Sequence, residues 1–259
     1  MSEKVTIKQL LDSGAHFGHQ TPRWNPKMKP FIFGDRNGIH IINLEITAKI
    51  LDKALKFILE ITKKGETVLF VGTKKQAQDP LMVAAQKSSM PFVNERWLGG
   101  MLTNFETVRK SIKKIEDIDT MEKNGEFQYV TKKEASSLCK EREKLVKNLS
   151  GVREMKKLPG ALFIVDIQKE KIAVLEARKL GIPIVAIADT NSDPELVNIA
   201  IPGNDDAIKA ITLFCDAVAN VALEGGNEFR MGQNAESKPE ADAGIDAAAE
   251  EAFNSTAKQ

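Results

Sequence analysis

Thr67-Val68-Leu69-Phe70-Val71, Ala161-Leu162-Phe163-Ile164-Val165 and Ile184-Val185-Ala186-Ile187-Ala188 are the stretches whose reading decides the fold. Each is rich in β-branched residues and has no polar face, so each reads as a strand covered on both sides, as in a parallel sheet. Helical periodicity fills the intervals at residues 44–62, 80–88, 171–180 and 206–223. Strands alternating with helices predict a three-layer, doubly wound α/β domain with a mainly parallel sheet. Residues 92–93 and 199–201 are candidates to complete that sheet. Residues 31–34 and 38–43 read as a small hairpin turning at 35–38.

Between Thr103 and Lys157 the pattern changes to long charged helices, broken at Asn124-Gly125, a turn dipeptide. Phe105, Val108, Ile112, Ile115, Ile118 and Met121 form one apolar seam, and Leu138, Leu145, Leu149 and Val152 form a second. Stripes this narrow suit a partner helix better than a globular core, which predicts an inserted antiparallel coiled-coil helical hairpin. The domains expected are thus residues 1–104 with 158–224 as the globular α/β unit, 105–157 as the hairpin, and 225–259 as an acidic, disordered tail whose composition cannot bury enough apolar surface.

Charge separates along the same lines. The total is +1, but residues 224–259 hold eight acids and three bases, leaving a basic body of about +6 that suits a polyanionic partner. Two cysteines without close spacing support neither a disulfide framework nor a cysteine zinc site. No signal-like segment or membrane-length apolar run is present, so a cytoplasmic protein with no membrane partner is expected.

A doubly wound sheet invites a nucleotide enzyme. At Leu69-Phe70-Val71-Gly72-Thr73-Lys74-Lys75, however, the spacings of a dinucleotide loop and of a triphosphate loop are both missing. Lys74 and Lys75 at a helix start can hold a phosphate; two solvated lysines are an equal reading. Asp189 leaves a strand at the usual ligand edge, Asp193 precedes Pro194 as a helix cap, and Asp205-Asp206 suit a helix dipole. An enzyme using Asp189 and Asp205 as acid, base or metal ligand is the alternative function, and no nucleophile motif supports it. No small-molecule substrate and no required cofactor are expected. One metal site is conceivable. His16 and His19, three apart, can supply an imidazole to Asp189 and Asp205, an oxygen and nitrogen set for a structural zinc ion. The competing reading is a hydrogen-bonded histidine beside capping aspartates.

Four stretches carry more information than composition. His16-Phe17-Gly18-His19-Gln20-Thr21-Pro22-Arg23-Trp24-Asn25-Pro26-Lys27-Met28-Lys29-Pro30-Phe31-Ile32-Phe33-Gly34 is the first, and Gly38-Ile39-His40-Ile41-Ile42-Asn43-Leu44-Glu45 the second. Asn94-Glu95-Arg96-Trp97-Leu98-Gly99-Gly100-Met101-Leu102-Thr103-Asn104 is the third, and Asp189-Thr190-Asn191-Ser192-Asp193-Pro194 with Ile201-Pro202-Gly203-Asn204-Asp205-Asp206-Ala207-Ile208-Lys209-Ala210-Ile211 the fourth. In order and spacing the chain resembles the bacterial family of small-subunit ribosomal protein two, over residues 1 to about 223. The resemblance implies a non-enzymatic constituent of the small ribosomal subunit in the cytoplasm. It implies contact with ribosomal RNA and neighbouring proteins, and docking of ribosomal protein one, which captures messenger RNA. The residues suit phosphate contact: Arg23, Lys27 and Lys29 beside Trp24; Lys74 and Lys75; Arg96, Thr103 and Asn104; and Arg109, Lys110, Lys113 and Lys114 on the hairpin.

Overall fold

The computed structural model describes residues 4–129 and 131–236. A short helix, α1 (Ile7–Asp12), begins at a capping box in which Thr6 and Gln9 satisfy each other's backbone N–H groups. Strands β1 (Phe17–Gln20), β2 (Ile32–Arg36) and β3 (Ile39–Ile42) form a small antiparallel sheet in the order β1-β3-β2. The β2–β3 turn is closed by Asn37 and Gly38, both at positive φ, the combination that a two-residue hairpin loop demands.

Then come α2 (Leu44–Lys63), β4 (Val68–Val71), α3 (Gln78–Ser88) and β5 (Phe92–Val93). The helical pair α4 (Phe105–Lys123) and α5 (Lys132–Leu149) follows, and the chain closes with β6 (Ala161–Val165), α6 (Lys171–Leu180), β7 (Ile184–Ala188), β8 (Ile199–Pro202) and α7 (Ile208–Glu236). The main sheet is parallel throughout, in the order β5-β4-β6-β7-β8. The three apolar runs are its centre, and the two shorter candidates complete it.

The period of two along each strand divides the interior into two cores. Val68, Phe70, Phe163, Val165 and Val185 face α2, α3 and α7, where Leu51, Ile58, Leu81, Phe214 and Val218 cover them. Phe70 and Phe163 meet edge to face at 5.4 Å between centroids. Leu69, Val71, Leu162, Ile164 and Ala186 face the other way, onto α6, the loop of Trp97 and Met101, and the root of the helical pair.

That root revises the expected domain boundary. Ile112 and Ile115 of α4, Leu149 at the end of α5 and Val152 in the turn after it belong to the second core, so the inserted hairpin is anchored in the globular unit. Leu138 and Leu145 further out are half-buried, and the seam closes fully at its base. Ion pairs bind the arms farther along, Lys114 to Glu141 at 2.6 Å and Arg142 to Asp119 and Glu122.

The tail boundary is revised too. Order was expected to stop at Gly225, but α7 continues to Glu236. Gly225 explains why: a Cβ there would lie 2.0 Å from Thr62 Oγ1, so the glycine lets α7 press onto α2. Beyond it Glu228 pairs with Lys63 at 2.8 Å and the Phe229 ring covers Gly65. The expectation for residues 237–259 lies outside the described residues.

Candidate functional site

Loops leaving the C-terminal ends of β4, β6, β7 and β8 converge at one edge of the main sheet, the edge where doubly wound folds place ligands. Lys74 follows β4, Asp166 follows β6, Asp189 follows β7, and Asp205 and Asp206 follow β8. His19 arrives from β1 because Gly18 allows that strand to lie against Thr190: a Cβ on Gly18 would stand 2.5 Å from Thr190 Cγ2. The His19 N–H then donates to Thr190 Oγ1 at 2.9 Å.

The side chains form a compact ionic cluster. His19 Nδ1 lies 3.0 Å from Asp189 Oδ2, and Nε2 lies 3.6 Å from Asp206 Oδ2. Lys74 Nζ lies 2.6 Å from one oxygen of Asp205 and of Asp206, and 3.5 Å from Asp166. The hydrogen bond to Asp189 raises the His19 pKa above its ordinary value, against the effect of burial. Burial, reinforced by the charges of Asp189 and Asp166, pushes Asp205 up to about 7 despite Lys74. Burial disfavours the Lys74 ammonium, but Asp205, Asp206 and Asp166 outweigh it and the pKa lies above the usual lysine value.

Three sequence expectations change here. His16 is not in the cluster; its ring packs on Phe17 at 4.0 Å between centroids, and Asp206 takes its place. Lys74 is turned inward onto carboxylates, so it is not displayed to a phosphate as Lys75 is. Asp205 and Asp206 do not cap α7 either. Asn204 closes a turn just ahead of that helix, its Oδ1 accepting from the N–H groups of Asp206 and Ala207, and the first helical bond runs from Ile211 N–H to the Ala207 carbonyl. One donor atom each from His19, Asp189, Asp205 and Asp206 lies within 4.8 Å of the others, and Asp205 Oδ2 is buried without a hydrogen-bond partner. A nitrogen with three carboxylate oxygens fits a zinc ion. Asp166 was missed, although the strand-end rule that singled out Asp189 applies to it equally.

A second constellation organises the loop from Asn94 to Asn104. Glu176 on α6 is 8 % exposed, and its Oε1 accepts from Trp97 Nε1 at 3.1 Å and Gly100 N–H at 2.8 Å. Its Oε2 accepts from the N–H groups of Leu102 and Thr103 and from the Thr103 hydroxyl, each at 3.0 Å. Thr103, expected to face RNA, therefore spends its donors inward. Asn104 accepts from the Thr107 hydroxyl at 2.8 Å. Arg96 remains exposed, while Trp97, Met101 and Leu102 are buried. A charged residue interrupting the apolar stripe Ala173, Val174, Ala177 was the available signal for Glu176.

The remaining cations lie on the outside. Arg23 and Lys29 are exposed, and Trp24 packs its ring against His40 at 5.3 Å. Lys27 bridges to Asp193, at 2.9 Å, and to Glu195. Arg109, Lys110 and Lys113 line a cleft of about 620 Å³ at the root of the hairpin, joined by Arg153 and Lys156, which sequence reading passed over. Glu116 and Glu154 share the cleft, giving five cations to two acids.

Fold and site together define a class: a doubly wound α/β scaffold whose sheet edge is filled by an ion cluster and whose remaining cations lie mostly on the outer surface. The ribosomal protein S2 family matches residues 10–225, and the chain belongs to that family. It is similar to the small ribosomal subunit protein uS2 of Bdellovibrio bacteriovorus, 56 % identical over 226 residues, covering 87 % of this chain and 72 % of that one. The uS2 proteins of Nocardia farcinica, 55 % identical over 93 % of this chain and 84 % of the other, and of Geotalea uraniireducens, 55 % identical over 86 % and 87 %, are alike to it. The family is a structural, non-enzymatic component of the small subunit, cytoplasmic in bacteria, and the enzyme alternative is set aside. Among the described residues no helix is long and apolar enough to cross a membrane.

Proposed function

We propose that this chain serves the small ribosomal subunit by holding the sugar-phosphate backbone of ribosomal RNA, and that its sheet edge is a docking platform for a neighbouring protein, ribosomal protein one. The observation that carries the RNA reading is the meeting of Arg109, Lys110, Lys113, Arg153 and Lys156 around one cleft. Cations on two separate segments surround a concave surface, which suits a backbone phosphate better than a base edge. Arg23, Lys29, Lys75 and Arg96 extend the same chemistry over exposed loops.

The docking reading is supported by apolar surface next to the ionic cluster. Ile7 and Leu11, one turn apart on α1, and Phe17 on β1 are 49 %, 52 % and 47 % exposed, on the segment that delivers His19. A structural zinc ion held by His19, Asp189, Asp205 and Asp206 would tie that segment to the sheet edge. The test joins both parts. Charge reversal of Arg109, Lys110 and Lys113 should reduce co-sedimentation with small subunits and flatten its dependence on salt. His19→Ala and Asp189→Ala should lower bound zinc in the purified protein and weaken capture of ribosomal protein one. Unchanged sedimentation in the triple variant removes the RNA assignment. No zinc in the parent chain, or equal zinc in all three proteins, removes the metal.

A further inference from the structure

A groove that begins at Lys4 and Val5, just before α1, is not used in that reading. It runs between α2 and α7 and encloses about 460 Å³. Its floor is apolar: Val5 ahead of α1, Ala48, Leu51, Leu55 and Leu59 of α2, and Val221 of α7. On α2 these residues are spaced three, four and four apart, the stripe that one helix offers to another. Lys4, Lys49 and Lys56 stand at the rim with Asp52 and Glu224; Lys56 is paired with Asp52 at 2.8 Å, and the rim as a whole is basic by one charge.

The chain itself holds a matching segment. From Glu240 to Phe253 there are five acids and no base, and Ile245, Ala248, Ala249, Ala252 and Phe253 repeat at helical spacing. The stripe is mostly alanine, too weak to make a core alone, so its burial requires a surface supplied by something else.

Lengths agree as well. Ala48 to Leu59 covers about 16 Å of α2, and Ile245 to Phe253 as a helix would cover about 12 Å. From Glu224, at the groove, α7 carries the chain about 18 Å away before Glu236. The nine residues 237–245 can span up to about 30 Å when extended, enough to return.

We infer that the acidic segment around Ile245–Phe253 docks as a helix in the α2–α7 groove of its own chain, with Ile245 and Phe253 on the apolar floor and Asp246, Glu250 and Glu251 toward the rim lysines. Tethering sets an effective concentration on the order of millimolar, so the contact forms even though the free segment binds weakly.

The experiment compares leucine methyl resonances in the full chain, in a chain ending at Glu236, and in the full-length double variant Ile245→Asp with Phe253→Asp. The Leu55 and Leu59 signals should differ between the full and shortened chains, and the double variant should resemble the shortened one. A synthetic peptide of residues 237–259, added at a few millimolar to the shortened chain, should move those signals back, and less so at high salt. Identical Leu55 and Leu59 signals in the full and shortened chains overturn the inference. So does a double variant that keeps the full-chain signals. Shifts that persist in the shortened chain and grow with protein concentration overturn it too, and assign the groove to a second copy.

Discussion

Glu176→Gln replaces one carboxylate oxygen by an amide NH2, and the five donors around Glu176 fix the consequence. With the remaining oxygen toward Leu102 and Thr103, the NH2 group confronts the indole N–H of Trp97 and the N–H of Gly100, now 3.1 and 2.8 Å from another donor. With the amide flipped, the N–H groups of Leu102 and Thr103 are stranded instead, while the Thr103 hydroxyl can turn to accept from the NH2. A buried donor left without its acceptor costs about 1–3 kcal/mol, and partial access to water around Gly100 softens this, so a total loss of about 2–4 kcal/mol is expected. For a chain of this size that lowers the thermal midpoint by about 5–15 °C. Burial acts to raise the pKa of Glu176, but the donors from Thr103, Trp97, Gly100 and Leu102 outweigh it and the value lies below normal. The stabilisation is therefore present above the ordinary glutamate pKa and is lost as pH falls through the lower folded value. Denaturant unfolding followed by Trp97 fluorescence in a Trp24→Phe background, repeated from neutral to acid pH, measures both effects. A variant within about 0.5 kcal/mol of its parent, with unchanged pH dependence, would refute the assignment of Glu176 as the organiser of this loop.

Gly225 and Gly226, adjacent in α7, should respond in opposite directions to alanine. Gly225→Ala forces a Cβ onto Thr62 and should cost about 1–3 kcal/mol, while Gly226→Ala, whose nearest neighbour would be Arg230 Nη2 at 3.8 Å, should gain up to about 1 kcal/mol; paired thermal melts decide. Replacing residues 120–140 by a short turn should leave both cores folded. Replacing 106–150 should not, because Ile112, Ile115 and Leu149 leave with them, and loss of cooperative unfolding in the second deletion alone is the expected calorimetric result.

What the sequence made legible was what short-range pattern controls. The runs at 67–71, 161–165 and 184–188 could pack only one way, and Asn124-Gly125 could only turn, since those outcomes follow from local sterics and burial on both faces. Residues serving two neighbours at once were read incorrectly. Lys74 follows a strand at the start of a helix, where a lysine can hold a phosphate, but its direction is set by Asp205 and Asp206, far along the chain. Asp205 has the context of a helix cap, but its carboxylate is held at 2.6 Å by Lys74, 131 residues earlier. Gly225 reads as the end of order, because glycine is a helix breaker until a second helix comes close enough to need one. In each case the deciding neighbour lies many residues away, and no window along the chain includes it.

The division of the interior by strand parity also determines what light can report. Trp97 lies in the core beneath the hairpin, Trp24 is at the surface, and the single tyrosine, Tyr129, is 89 % exposed. The core under α2, α3 and α7 holds phenylalanines as its aromatics, Phe70, Phe163 and Phe214. Tryptophan emission is thus a one-sided witness. Loosening of α7 would pass unseen in fluorescence while removing a large part of the helical circular dichroism, so disagreement between the two signals identifies which side of the sheet gave way first.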